Sequence, residues 1–127
     1  MGHFLLSADA TFSAAHTLPG IEMCERMHGH NWRVRLTVKV DDSALDKVGM
    51  GVDFRVVERI ANDVVADFEH RYLNELDAFR DRLPTAEHVA HVVATRAAAR
   101  LKTAAPSASV AEVELWETPD YRLVYRP

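Results

Sequence analysis

The sequence predicts an α+β domain in which four antiparallel strands carry two helices on one face, in the chain order ββααββ. Two patterns and one placement predict it. From His28 to Val40, the residues His28, His30, Trp32, Val34, Leu36, Val38 and Val40 share one parity, while Arg33, Arg35, Thr37 and Lys39 take the other. That is the period of a strand. Further along, apolar residues recur at helical spacing in two separate runs. Both runs fall between pairs of strand-like segments, an order that lays the helices on one face of an antiparallel sheet. The other sheet face is then expected to carry the histidines and to need a cover of its own.

The first strand covers Phe4 to Ala15, where Phe4, Leu6 and Phe12 supply β-formers and Pro19-Gly20 turns the chain afterwards. Asp41-Asp42-Ser43 breaks the second strand, and Gly49 and Gly51 mark a loop. Asp53 caps a helix reaching about Phe68, since Phe54, Val57, Ile60, Ala61, Val64, Val65 and Phe68 share one stripe. Pro84 and Thr85 open a second helix, with Thr85 as N-cap and Val89, Val92, Val93, Ala97 and Leu101 as its apolar stripe. After Pro106, Val110 to Trp116 and Tyr121 to Tyr125 read as the last two strands.

The 127 residues, with no repeat or linker, are expected to form one domain, 1–127. A net charge of -4 with dispersed Lys and Arg gives no basic stripe, so nucleic acid is not an expected partner. No apolar run approaches the roughly 20 residues of a membrane span, and Met1 to Ala10 has no signal-peptide pattern. The cytoplasm is the expected location. Cys24 is the single cysteine, which excludes an intramolecular disulfide.

Three of the seven histidines fall between His16 and His30. His28-Gly29-His30 places two imidazoles on one strand face, and a hairpin return brings His16 beside them. Three neutral imidazoles without a fourth strong ligand describe an open catalytic zinc site. Gly29 leaves room on the opposite face or lets the backbone bend. Cys24, four residues before His28, fits three roles: fourth zinc ligand, apolar filler, or thiol activated by a nearby cation. Glu69-His70 follows the first helix, where the histidine either meets the helix dipole or carries protons with an acid to orient it. Glu117 lies among apolar neighbours, pointing to solvent or receiving a ligand with paired N–H donors. His3 is expected at the terminal surface, and His88 and His91 on a solvated helix face.

Six motifs in order carry a resemblance over nearly the whole chain: Phe12-Ser13-Ala14-Ala15-His16, Cys24-x-x-x-His28-Gly29-His30-Asn31, Val52-Asp53-Phe54, His70-x-Tyr72-Leu73-Asn74, Pro84-Thr85-x-Glu87 and Glu117-Thr118. Together they resemble the 6-pyruvoyltetrahydropterin synthase and 6-carboxytetrahydropterin synthase family. The resemblance implies a tunnelling fold whose subunits assemble into a barrel, as trimers stacked into hexamers, with active sites at subunit interfaces. It implies zinc on His16, His28 and His30, Cys24 as general base, and His70 as its relay partner with an acid tuning it. Glu117 would grip the pterin edge and join the relay, and Thr85 and Glu87 would line the pterin pocket. The substrate class implied is 7,8-dihydroneopterin triphosphate, with triphosphate leaving by elimination and no redox cofactor. Two features depart from the family pattern: Glu69 stands where Asp is usual, and the loop from His16 to Cys24 is short.

The spacing Cys24-x-x-x-His28 is similar to the carboxy-forming branch, which feeds 7-deazapurine synthesis toward queuosine. The implied reaction is therefore conversion of the triphosphate to 6-carboxytetrahydropterin, acetaldehyde and triphosphate. The alternatives are 6-pyruvoyltetrahydropterin formation, a cleavage activity on dihydroneopterin (variants of which tend to carry Glu in place of Cys24), and a non-catalytic pterin- or zinc-binding module.

Overall fold

Alternation along two long strands sets the architecture. In the computed structural model, which describes residues 2–127 apart from the side chain of Met23, β1 (His3–His16) and β2 (His28–Asp41) pair antiparallel from end to end. His3 lies opposite Asp41 and His16 opposite His28. There follow α1 (Phe54–Ala66), β3 (Arg71–Tyr72), α2 (Ala86–Ala104), β4 (Ala108–Thr118) and β5 (Tyr121–Tyr125). The sheet order is β3-β1-β2-β4-β5. The two helices and four principal strands are those expected from sequence. The short β3 is an addition: it joins the edge of β1 in parallel, Ala14 opposite Arg71 and Ala15 opposite Tyr72, so the sheet is mixed. Two residues are too few for a period of 2 to be read in the sequence.

The helices bury Val57, Ile60, Val64 and Val65 of α1 and Val89, Val92, Val93, Ala97 and Leu101 of α2. α1 packs mainly on β1, and α2 on β4. Beneath them lie Ala10, Phe12 and Ala14 of β1, Trp32 through Val40 at alternate positions of β2, and Val113 and Leu115 of β4. This overturns one expectation. The histidines are not on the opposite face; they share the parity of Trp32 and Val34 and so continue the helix-covered face to its end. The helical apolar stripes need the sheet's apolar parity as partner, and His16, His28 and His30 travel with it.

The opposite face is polar and tied by Asp9. Its carboxylate accepts from Arg35 and Arg33, with Arg35 Nε at 2.8 Å, and the Arg35 hydrogen bond is the main cause holding its pKa below the usual carboxylate range. Arg33 also stacks over Trp116, 4.4 Å from the ring centre.

Helix ends follow local chemistry. Asp53 accepts from the N–H of Arg55 at 2.8 Å and caps α1 as expected. α1 stops at Ala66, two residues before Phe68, whose buried ring instead packs 5.5 Å from Phe12. α2 runs three residues past Leu101, to Ala104; Ala105 then leaves the helical region (φ -153°, ψ 79°), which the following Pro106 disfavours.

Gly51 fits where a side chain cannot. A Cβ there would overlap Cβ and Cγ1 of Val40, a fully buried core residue on β2. Gly51→Ala is therefore expected to destabilise the fold by about 1–3 kcal/mol through overpacking, measured as a lowered urea midpoint with unchanged m-value.

Candidate functional site

The hairpin register alone gathers the histidines. His16 pairs opposite His28, Ala14 pairs opposite His30, and alternation turns all three rings to one side. The ring centres of His16 lie 4.5 Å from His28 and 5.2 Å from His30, and those of His28 and His30 are 4.8 Å apart. One nitrogen from each ring lies within 4.8 Å of the others. Trp32 walls the cluster from below, its ring 5.2 Å from His16 and 5.5 Å from His30, and its indole N–H donates to the carbonyl of Ala14.

Backbone carbonyls set the tautomers. His16 Nδ1 lies 2.9 Å from the carbonyl oxygen of Pro84, and His28 Nδ1 lies 2.7 Å from that of Arg26. A carbonyl only accepts, so both Nδ1 atoms carry the proton and both Nε2 atoms keep a free lone pair. His16 is fully buried, yet its Nε2 has no hydrogen-bond partner, and neither has His30 Nε2. Orphaned buried nitrogens are costly unless something binds them. Glu117 Oε1 approaches His30 Nε2 to 3.4 Å, near enough for charge attraction but without hydrogen-bond alignment. Burial pushes the pKa of both His16 and His30 below the ordinary histidine value, and the nearby Glu117 carboxylate opposes this only in part. That direction favours the neutral, ligating form of these two rings. Three imidazoles, two oriented by carbonyls and two with orphaned nitrogens, fit a divalent metal with an open coordination position.

Cys24 is not a member of this cluster. It sits half-buried in the short turn Glu22–Glu25, its N–H donating to Ile21 at 2.7 Å and its carbonyl accepting from Leu18 at 2.6 Å. Of the roles left open by the sequence, a closed four-ligand site is the one this arrangement does not form.

Glu69 and His70 follow α1 and clasp β1. The N–H of His70 donates to the Ser13 carbonyl at 2.7 Å, and Glu69 Oε1 accepts the Ser13 N–H at 3.2 Å. The same oxygen lies 3.1 Å from His70 Nε2, so the longer glutamate arm does reach the histidine. His70 adopts φ 55°, a left-handed conformation unusual for a residue with a side chain. Its ring joins His30, Gly29, Ser13, Asn31 and Tyr72 around an open cleft of about 470 Å³. Gly29 is in ordinary extended backbone, and a Cβ would meet only the Ala14 carbonyl at 3.8 Å, so its role is open space in this cleft.

Glu87 and Glu117 meet at a second opening of about 260 Å³, lined also by Leu115, Tyr121 and Arg122. Thr85 is not among its lining residues. Its hydroxyl caps α2 by accepting the N–H of His88 at 3.1 Å. His3 is exposed, but His88 and His91 are both half-buried, His91 lying 5.5 Å from the Tyr125 ring. Sequence reading assigned no role to Ser13, Asn31 or Tyr72 in the cleft, nor to the Pro84 carbonyl. Register would have placed the first pair, since Ser13 lies opposite Asn31.

With this geometry in hand, comparison with known proteins is direct. The family profile described as 6-pyruvoyl tetrahydropterin synthase matches residues 5–127. The 6-carboxy-5,6,7,8-tetrahydropterin synthase of Bacillus subtilis is 35% identical over 130 residues, covering 98% of this chain and 86% of that protein. A dihydroneopterin monophosphate aldolase of Pyrococcus furiosus is 32% identical over 87 residues, covering 68% of each chain. Among solved structures, the Caenorhabditis elegans 6-pyruvoyl tetrahydropterin synthase superposes with a TM-score of 0.81 over 100% of this chain and 97% of that one. At 23% identity that likeness speaks for the fold alone. Profile, identity and fold agree: the chain belongs to the 6-pyruvoyl tetrahydropterin synthase family.

Proposed function

We propose that the protein is a zinc-dependent 6-carboxytetrahydropterin synthase, a lyase converting 7,8-dihydroneopterin triphosphate and water to 6-carboxytetrahydropterin, acetaldehyde and triphosphate. The observation that carries the reading is the trio of clustered imidazoles, two of them with orphaned buried nitrogens, at the end of the helix-covered sheet face. His16, His28 and His30 would hold the ion. A bound zinc supplies Lewis acidity toward substrate oxygens and stabilises the negative charge that develops beside them.

The remaining roles fall to the chain's own groups. Cys24, as thiolate, takes and returns protons at the substrate side chain. His70 passes them on, and Glu69, 3.1 Å from its Nε2, orients the imidazole. Glu117 accepts two N–H groups of the pterin edge, and Glu87 closes the same opening. Thr85 serves this pocket only by fixing the start of α2. The carboxy-forming reaction is favoured over aldol cleavage by the retained Cys24 and by the 35% identity to the Bacillus subtilis synthase along nearly the whole chain.

His70 is 82% exposed on its side chain in the single chain, which is unsuited to a relay in water. We therefore place the working site between subunits of a homo-oligomer, trimer or hexamer, the arrangement the family resemblance implies. No described helix is long and apolar enough to cross a membrane, and a cytoplasmic role in 7-deazapurine supply is the setting this reaction implies.

The test is product identification by mass spectrometry after incubating zinc-loaded protein with 7,8-dihydroneopterin triphosphate. The expected products are the 6-carboxy tetrahydropterin and acetaldehyde. A 6-pyruvoyl product would move the chain to the other branch with the same site, and a 6-hydroxymethyl pterin would indicate aldol cleavage. No turnover with metal in place would leave a binding module.

A further inference from the structure

The turn carrying Cys24 is tied to the rest of the fold through Thr17, which both Asn74 and Tyr72 hold. Thr17 directly follows the buried His16, and its backbone is gripped on both sides by Asn74. The Thr17 N–H donates to Asn74 Oδ1 at 2.9 Å, and Asn74 Nδ2 donates to the Thr17 carbonyl at 3.0 Å. The amide thus imitates a neighbouring strand where β1 has ended. Tyr72 adds a hydroxyl contact, 2.7 Å from Thr17 Oγ1. From this anchor the next residue, Leu18, donates its N–H to the Cys24 carbonyl at 2.6 Å and accepts the Ile21 N–H at 3.2 Å. Ile21 in turn accepts the Cys24 N–H at 2.7 Å. Asn74 to Thr17, Thr17 to Leu18, and Leu18 to Cys24 form one short mechanical chain. Beyond it the turn makes few fixed contacts: Ile21 and Met27 are exposed, and Gly20 needs a left-handed φ of 88°.

We infer that Asn74 is a positioning residue for the Cys24 thiol, holding the turn at the register in which the thiol faces the substrate. Asn74 is not among the residues lining the cleft, and both of its hydrogen bonds go to the backbone of Thr17. Asparagine is specific to the task, because the site needs one acceptor and one donor in a plane. Aspartate keeps the acceptor but sets a carboxylate lone pair against the Thr17 carbonyl, and alanine removes both bonds. Misplacing a catalytic group by about 1 Å can cost on the order of 100-fold in rate.

The inference rests on the reading of Cys24 as the working thiol, and its test separates the two. Zinc content, thermal unfolding, steady-state kinetics and the rate of Cys24 alkylation by iodoacetamide would be measured for wild type, Asn74→Ala and Asn74→Asp. The expected result for Asn74→Ala is native zinc content, a kcat lower by about 10- to 100-fold with little change in KM, and a several-fold change in alkylation rate. Asn74→Asp is expected to lie between wild type and Asn74→Ala. Alkylation and kcat both unchanged in a folded Asn74→Ala protein would overturn the inference. Should alanine unfold the chain, unchanged alkylation in Asn74→Asp overturns it equally. If wild type shows no turnover but Asn74→Ala still alters alkylation, the positioning stands and the proposed activity falls.

Discussion

Replacing His28 by alanine is expected to remove both the metal and all measurable turnover. Losing a group that merely orients a ligand costs roughly 10–100-fold in metal affinity, and losing one of only three ligands must cost more. His28 is the informative position because it is only partly buried, whereas His16 is fully buried under α2's leading turn. Alanine at His16 would open a cavity as well as remove a ligand, and the two effects would be confounded. At His28 the fold should survive, with helical circular dichroism close to wild type. Metal analysis after dialysis against a weak chelator checks the prediction. Full zinc occupancy in a folded His28→Ala protein would contradict the ligand assignment.

The second large effect is expected at Cys24 and has the opposite signature. Cys24→Ala should keep zinc at wild-type stoichiometry and lose about 10²–10⁴-fold in kcat, the span of a general base. The separation follows from geometry: the ligating nitrogens cluster within 4.8 Å of one another without the sulfur. Alkylating the wild-type thiol should reproduce the pattern, activity lost and metal retained. Loss of zinc on either treatment would instead make the thiol a ligand. Comparing the His28 and Cys24 variants in one experiment distinguishes metal-holding from proton-moving groups more sharply than either variant alone.

Much of the fold was legible because β2 alternates cleanly and because Asp53 and Thr85 cap helices that begin where their side chains require. The strand β3 was not, being only two residues long and held by pairing with Ala14 and Ala15 rather than by its own pattern. The face carrying the histidines was misplaced although the parity was read correctly. Helices pack against apolar parity, and the histidines share it with Trp32 through Val40. Glu69 shows another limit of sequence: a glutamate in place of aspartate gives no sign of reach, while the structure brings its oxygen to both the Ser13 N–H and His70. The meeting of Glu87 and Glu117 across 30 residues depends on how α2 lies over β4, which no local pattern states. Asn74 was visible within the motif His70-x-Tyr72-Leu73-Asn74, but its grip on Thr17 depends on β1 ending at His16.

The most direct test of the metal centre is zinc-edge X-ray absorption on the metal-loaded protein. The account predicts three imidazole nitrogens and a light oxygen donor at about 2.0–2.1 Å with no sulfur in the coordination sphere, an open site. A sulfur scatterer at about 2.3 Å would show Cys24 bound to the ion, closing the site and contradicting the assignment of the thiol as base.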